Sequence, residues 1–294
     1  MKSERIIWLL VALGVLVRLI CARGDPWLDE IWTLVLIAPL KSGFEVFRNI
    51  SHDNNHFLNS WWMYQWGPDA NPLIYRLPSI LCGGASIYVA GHIGRRTSPA
   101  AGAIAAFVVA FAFPFVNYGS EARGYSGLVL AMLVAVDALD RAMPLFGRVE
   151  SHAELRRLSW IMGVAFGFGA LAHLEMFMGA FTLALCAIAY VSLVGAPGDR
   201  IARLRAAYLF FLPGVALLAP ASAATAAGIQ LHGVTIGGVL RLPDGFAMGY
   251  GKLLVALAGL PARRRDGWVS ISSRPSLPRP SCGAGRLPFT PSLA

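Results

Sequence analysis

Charge is scarce in this chain. Only 14% of its 294 residues are charged and 56% are hydrophobic, and the mean hydropathy of +0.59 is more than a water-soluble globular domain tolerates. A soluble fold is excluded, which leaves an all-α, polytopic transmembrane helical bundle. Paired cysteines are missing as well. Cys21, Cys82, Cys186 and Cys282 stand far apart with no CxxC spacing, so no disulfide framework is visible and they read as small packing residues. A basic body is also missing, although the formal net charge is +9. Residues 261–294 hold Arg263, Arg264, Arg265, Arg274, Arg279 and Arg286 against Asp266 alone, so +5 of the +9 lies there. The remaining +4 gives no case for a nucleic-acid partner. No inverted repeat and no pair of interrupted helices is visible, which counts against a lipid or solute transporter.

What is present is a series of apolar segments. Lys2 and Arg5 precede a run over residues 6–21, about long enough to cross a ~30 Å hydrocarbon layer. A cleaved leader is the rival reading. Ile20 would occupy the minus-three position of a cut near Ala22, and Arg18 interrupts the run, so the segment is read as a first span with Arg18 snorkelling to the far surface. Residues 23–75 then change to short, mixed segments. Those at 30–40 and 56–66 are apolar but too short to span, and Trp61, Trp62, Tyr64 and Trp66 load the second with aromatics of the kind that favour the headgroup level. The expectation is a large first outer loop carrying interfacial helices; a second span starting at His56 is the alternative.

Further apolar segments lie at 77–94, 100–116, 124–139, 160–171, 177–194 and 206–227, with a weaker eighth at 246–260. If each crosses once, Lys2 and Arg5, Arg95 and Arg96, the Arg141 to Arg157 group and the Arg200 to Arg205 group share one side, as the positive-inside rule demands. That gives a membrane region over 1–260 with seven to eight spans. Residues 261–294, with six Pro, six Arg and six Ser and no periodicity, are expected to be disordered: an extension, or translation out of the original reading frame.

On the opposite side the same topology gathers the polar groups with chemical potential. Asp29 and Glu30 follow a Gly24-Asp25-Pro26-Trp27 turn, just beyond the first span. A carboxylate there suits a general base or a divalent-cation ligand, and equally a solvated surface. His52, Asp53 and His56 put two imidazoles four residues apart with a carboxylate between them, a spacing suited to a metal on a helix and as readily explained by interfacial polar residues. Glu121, Arg123 and Tyr125 stand at the mouth of two spans, where Arg123 would clamp a phosphate with its planar fork or simply pair with Glu121. His173 and Glu175 mark another loop on that side.

The order Trp27-Leu-Asp-Glu-Ile-Trp32, His52-Asp53 to His56, Tyr75-Arg-Leu-Pro-Ser79, Gly94-Arg-Arg96 and Tyr118-Gly-Ser-Glu-Ala-Arg123 with Tyr125 resembles the N-terminal half of GT-C glycosyltransferases. The likeness is to bacterial relatives of protein O-mannosyltransferases and lipid A aminoarabinose transferases, and covers about residues 5–225. It implies transfer of a sugar from a polyprenyl-phosphate carrier to a protein, lipid or glycan acceptor, at the outer, periplasmic face of the bacterial inner membrane. It implies Asp29, with Glu30 beside it, as the first-loop acid and Glu121 as the second-loop acid, the two also being carriers of a divalent metal ion. His52 and Asp53 would lie near the metal or the donor, and Arg123 and Tyr125 near the donor phosphate. The family's His-Pro-Pro-Leu is replaced here by His56-Phe57-Leu58-Asn59, and relatives commonly continue for several more spans. The expectation is therefore a shortened enzyme, with an inactive membrane remnant as the alternative.

Overall fold

The computed structural model describes residues 2–47, 56–148, 151–194 and 199–232, and these are all-helical, with no strand among them. The helices are α1 (Lys2–Cys21), α2 (Leu28–Ile37), α3 (Phe57–Trp66), α4 (Pro72–Arg95), α5 (Pro99–Phe111), α6 (Phe113–Gly119), α7 (Tyr125–Ala142), α8 (His152–Ala172), α9 (Met176–Leu193) and α10 (Arg200–His232). Two ten-residue helices, α2 and α3, thus fall within 23–75 where interfacial helices were expected. The eighth apolar segment, the tail at 261–294, His52 and Asp53 lie outside the described residues.

Among the described residues α4, α9 and Arg200–Ala223 of α10 are long and apolar enough to cross a membrane, and the bent pair α5–α6 makes a fourth if it is one span. Length and composition alone therefore show three or four helices able to cross a membrane among the described residues. The other long helices differ in charge. Helix α1 carries Glu4, Arg5 and Arg18, α7 carries Asp137, Asp140 and Arg141, and α8 begins with Glu154, Arg156 and Arg157.

Sequence chemistry explains where the helices start and bend. Asn71 accepts from the Leu73 N–H (2.9 Å) ahead of Pro72, and Ser98 accepts from the Ala101 N–H (3.0 Å) ahead of Pro99, so α4 and α5 each open on a side-chain cap followed by a proline at the first position. Pro78 inside α4 has no N–H for the Ile74 carbonyl; the Trp62 indole supplies one at 2.8 Å, which ties α3 to α4. Between α5 and α6 the chain turns by 55° just before Pro114. Arg18 fills that break. Its guanidinium donates to Val109 O (2.8 Å) and Ala110 O (3.2 Å), carbonyls that the bend and Pro114 leave without helical donors, and to Phe115 O (3.1 Å) of α6 and Gly14 O (2.9 Å) of α1. Arg18 is 0% exposed, so the snorkelling expectation is corrected: the side chain points into the bundle, where glycines at 83 and 119 leave room for it.

Packing uses small residues, the usual means of close approach between helices in lipid. Ala131, Ala135, Ala138 and Ala142 form one buried stripe of α7 against α8, α9 and α10, around Leu158, Met162, Phe166 and Met176. A second cluster, Ile7, Ile87, Ala90, Ala106, Val109 and Ala110, joins α1, α4 and α5. The ion pairs sort by end. One end joins Arg95 to Glu4, Arg96 to Asp137 and Asp140, and Arg141 to Glu154; the other holds Arg76 with Glu30, and Arg123 with Asp29 and Glu121.

Candidate functional site

At the second end, the loops before α2, α7 and α9 meet His56, the residue just ahead of α3. Glu30 is the third residue of α2, and its carboxylate reaches back to the Trp27 N–H (2.8 Å), the glutamate half of a capping box. The same carboxylate takes a two-pronged ion pair from Arg76 of α4, Nε at 2.9 Å and a terminal nitrogen at 2.5 Å, and accepts the Ala122 N–H at 2.5 Å. The remaining Arg76 donors go to the carbonyls of Ala22 (2.8 Å), Gly24 (2.7 Å) and Asp25 (2.9 Å). With Glu30 3% and Arg76 2% exposed, this pair is a buried clamp that locks the first turn after α1 to α4 and to the loop before α7. Glu30 is thereby withdrawn from the reacting pair that Asp29-Glu30 implies.

Asp29, its neighbour, is 53% exposed and forms an ion pair with Arg123. Arg123 bridges it to Glu121, which lies 3.2 Å from the other terminal nitrogen and also accepts from Asn117 Nδ2 at 2.7 Å. The Arg123 backbone is held too, since its carbonyl accepts the Ser79 hydroxyl at 2.8 Å. The guanidinium lies over the Tyr125 ring at 4.9 Å and within 5.9 Å of Tyr118, so stacking and ion pairing fix the same fork. Arg123 Nε is a buried donor with no hydrogen-bond partner among the described residues.

Behind Tyr125 stand two histidines. His56, just before α3, packs on Tyr125 (5.2 Å) and on His173 (4.7 Å), and His173 packs on Tyr125 (4.4 Å) while its Nδ1 accepts the Glu175 N–H at 3.0 Å. Gly124 makes this closeness possible, because a Cβ there would run into the Ala172 carbonyl oxygen at the end of α8. Beside the cluster a cavity of about 240 Å³ is lined by Phe115, Val109, Leu128 and Val129, by Tyr118 and Tyr125, and by the charged Arg18 and Glu175.

No family model, curated protein or solved structure matches this chain. The site is therefore read from its own geometry. Of the residues singled out in sequence, Asp29, Glu121, Arg123 and Tyr125 form one contact network, His56 joins it through Tyr125, and Glu30 sits beside it as a structural clamp. Among the described residues no group of three or more His, Cys, Asp or Glu is placed to hold a metal ion. Asp29 and Glu121, the acids expected to share one, share the Arg123 guanidinium instead; with that cation between them the pair does not fit a divalent ion as arranged. Three contributors carry no role in the sequence reading: Arg76 and Ser79 stand in the Tyr75-Arg-Leu-Pro-Ser79 stretch, and Asn117 lies just before Glu121. Arg76 holds Glu30, Ser79 holds the Arg123 carbonyl and Asn117 holds Glu121, contacts that only the fold shows.

Burial pushes the His56 imidazole down to about 3, with His173 and Arg123 adding to the effect, and lowers His173 as well. Burial also raises Glu121, against the opposing hydrogen bond and charge of Arg123. The signs differ. A histidine whose folded value lies below its unfolded value binds fewer protons when folded, so stability is full above about pH 6.5 and is lost as pH falls toward about 3. A raised carboxyl keeps its contribution below the unfolded value of 4.5 and loses it as pH rises through the folded value. Thermal stability scanned from about pH 5 to about pH 7 should rise with pH in the wild type, rise less in His56→Gln and rise more in Glu121→Gln. An unchanged slope in His56→Gln would contradict the assignment of the neutral histidine.

Proposed function

We propose that this chain is a GT-C-type glycosyltransferase that moves a sugar from a polyprenyl-phosphate carrier to a hydroxyl or amine acceptor at the outer face of a bacterial inner membrane. In this reading each apolar segment crosses once, giving seven to eight spans, and residues 23–75 form the first outer loop with α2 and α3 at the lipid interface. The observation that carries it is the Asp29–Arg123–Glu121 network, stacked on Tyr118 and Tyr125, two residues that also line a largely apolar cavity. A guanidinium fork and a largely apolar cavity suit such a donor, and a carboxylate base suits its acceptor.

The chemistry follows from the residues. The donor phosphate competes with Asp29 for Arg123, and its takeover of the guanidinium frees the Asp29 carboxylate. Asp29 then takes the proton of the acceptor as its oxygen or nitrogen bonds to the anomeric carbon. The bond from that carbon to the phosphate oxygen breaks with inversion, and the polyprenyl phosphate leaves with the electron pair, its charge met by Arg123. Glu121 and Asn117 hold the fork in place, and Tyr118 and Tyr125 stack on it.

Donor binding tests this reading. A polyprenyl phosphate should bind the purified chain and the uncharged polyprenol should not, and Arg123→Ala should weaken the phosphate by about ten-fold or more, the worth of a charge-assisted bond. Equal binding of alcohol and phosphate would refute it.

Orientation is checked separately. In a cysteine-free background, Leu28→Cys and Glu175→Cys, both exposed, should react with an impermeant thiol reagent added outside intact cells, and Thr97→Cys should not. Labelling of Thr97→Cys from outside would invert the topology and place the network on the wrong face.

A further inference from the structure

A second cavity, of about 340 Å³, lies at the opposite end of the bundle between α8 and α10. On α8 it is lined by His152, Arg156 and Trp160, which recur on one helical face, and on α10 by Ala206, Leu209 and Pro213, which do the same. The two helices meet tightly further along, where a Cβ on Gly163 would lie 3.1 Å from Pro213 and 3.2 Å from the Gly214 nitrogen. The cavity occupies the N-terminal side of that contact on both helices.

Its chemistry is two-sided. Toward Gly163 the walls are apolar, and Trp160 and Leu209 are half exposed, as side chains that face lipid are. Away from it the polar groups are cationic or neutral. Arg156 pairs with no carboxylate among the described residues, because Glu154 is held by Arg141 (2.8 Å) and Arg157 (3.3 Å). Ser159 donates its hydroxyl to the Phe210 carbonyl at 2.6 Å, which leaves His152 and Arg156 to meet an occupant. Neither Glu154 nor Asp199, the acids at the starts of these helices, lines the space.

We propose that this cavity seats an anionic phospholipid, with its phosphate between Arg156 and His152 and an acyl chain along Trp160, Leu209 and Pro213. Basic residues at the end of an inter-helix groove recognise lipid phosphate, and the volume is that of a small-ligand site. Charge selects this occupant over residues 261–294 of the chain itself, whose six arginines against one aspartate would be repelled by Arg156. The site is independent of the glycosyltransferase reading.

The test is native mass spectrometry of the full chain, delipidated in detergent and titrated with phosphatidylglycerol or with phosphatidylcholine of the same acyl chains. Phosphatidylglycerol should be retained in preference. Arg156→Gln should weaken it about five-fold, the worth of one basic residue near anionic lipid, without changing phosphatidylcholine. Ala206→Leu, which fills the groove and leaves the charge, should weaken both lipids, and Arg157→Gln should weaken neither. Equal retention of the two lipids by the wild type would overturn the proposal, as would equal phosphatidylglycerol binding by Arg156→Gln and Arg157→Gln. Displacement by millimolar inorganic phosphate would overturn it in favour of a free-anion site.

Discussion

Glu30→Ala should destabilise this protein by about 3–5 kcal/mol, the cost of leaving a buried charge without its partner. The substitution strips Arg76, 2% exposed, of its only carboxylate among the described residues and orphans the Trp27 and Ala122 N–H groups at once. Three segments would loosen together, because the turn after α1, the start of α2 and the loop before α7 are all pinned by that carboxylate. Asp29→Ala, one residue away and half exposed, should cost about 1 kcal/mol or less, as exposed pairs do. Replacing both partners with apolar residues, Glu30→Met with Arg76→Met, should recover part of the loss. The measurement is the shift in thermal inactivation in detergent at fixed lipid. Equal losses for Glu30→Ala and Asp29→Ala would mean that the clamp is not what holds these loops.

That contrast also marks what the sequence could and could not convey. The all-helical character was legible because runs such as 77–94 and 177–194 leave no other way to satisfy backbone groups in an apolar setting. Helix ends were less so. Hydropathy starts the α8 segment at 160, whereas the helix begins at His152, since Glu154, Arg156 and Arg157 are good helix formers that a hydrophobicity reading rejects. Asp29 and Glu30 looked equivalent as adjacent acids on one turn. Their fates differ by about 100° of helix rotation, which points Glu30 at Arg76 and Asp29 at Arg123, and only tertiary contacts reveal which is which. Arg18 was misplaced for a similar reason: snorkelling is the default for a lone arginine near a helix end, and the carbonyls freed by the break before Pro114 outcompete it.

If the proposed glycosyltransferase reading holds, Asp29→Asn should lower sugar transfer by roughly 10² to 10⁴-fold, the range of a lost general base. The amide keeps the size of the side chain and a hydrogen-bonding oxygen, so stability should barely move. What it loses is the capacity to accept the acceptor's proton. It also releases Arg123 from a competing carboxylate, so donor binding should hold or tighten while turnover falls. Arg123→Ala has the opposite signature, with weaker donor binding first. A structural role for Asp29 would lower binding and transfer together, whereas a base lowers transfer alone.

The most direct measurement is transfer of a labelled sugar from a polyprenyl-phosphate donor by the purified chain in liposomes, with wild type, Asp29→Asn and Arg123→Ala side by side. The expected result is product from the wild type, a loss of at least about 10²-fold in Asp29→Asn with donor binding intact, and loss in Arg123→Ala that tracks weakened binding. Transfer by Asp29→Asn at the wild-type rate would contradict the assignment of the base, and a wild type that binds no polyprenyl phosphate and transfers no sugar would contradict the function itself.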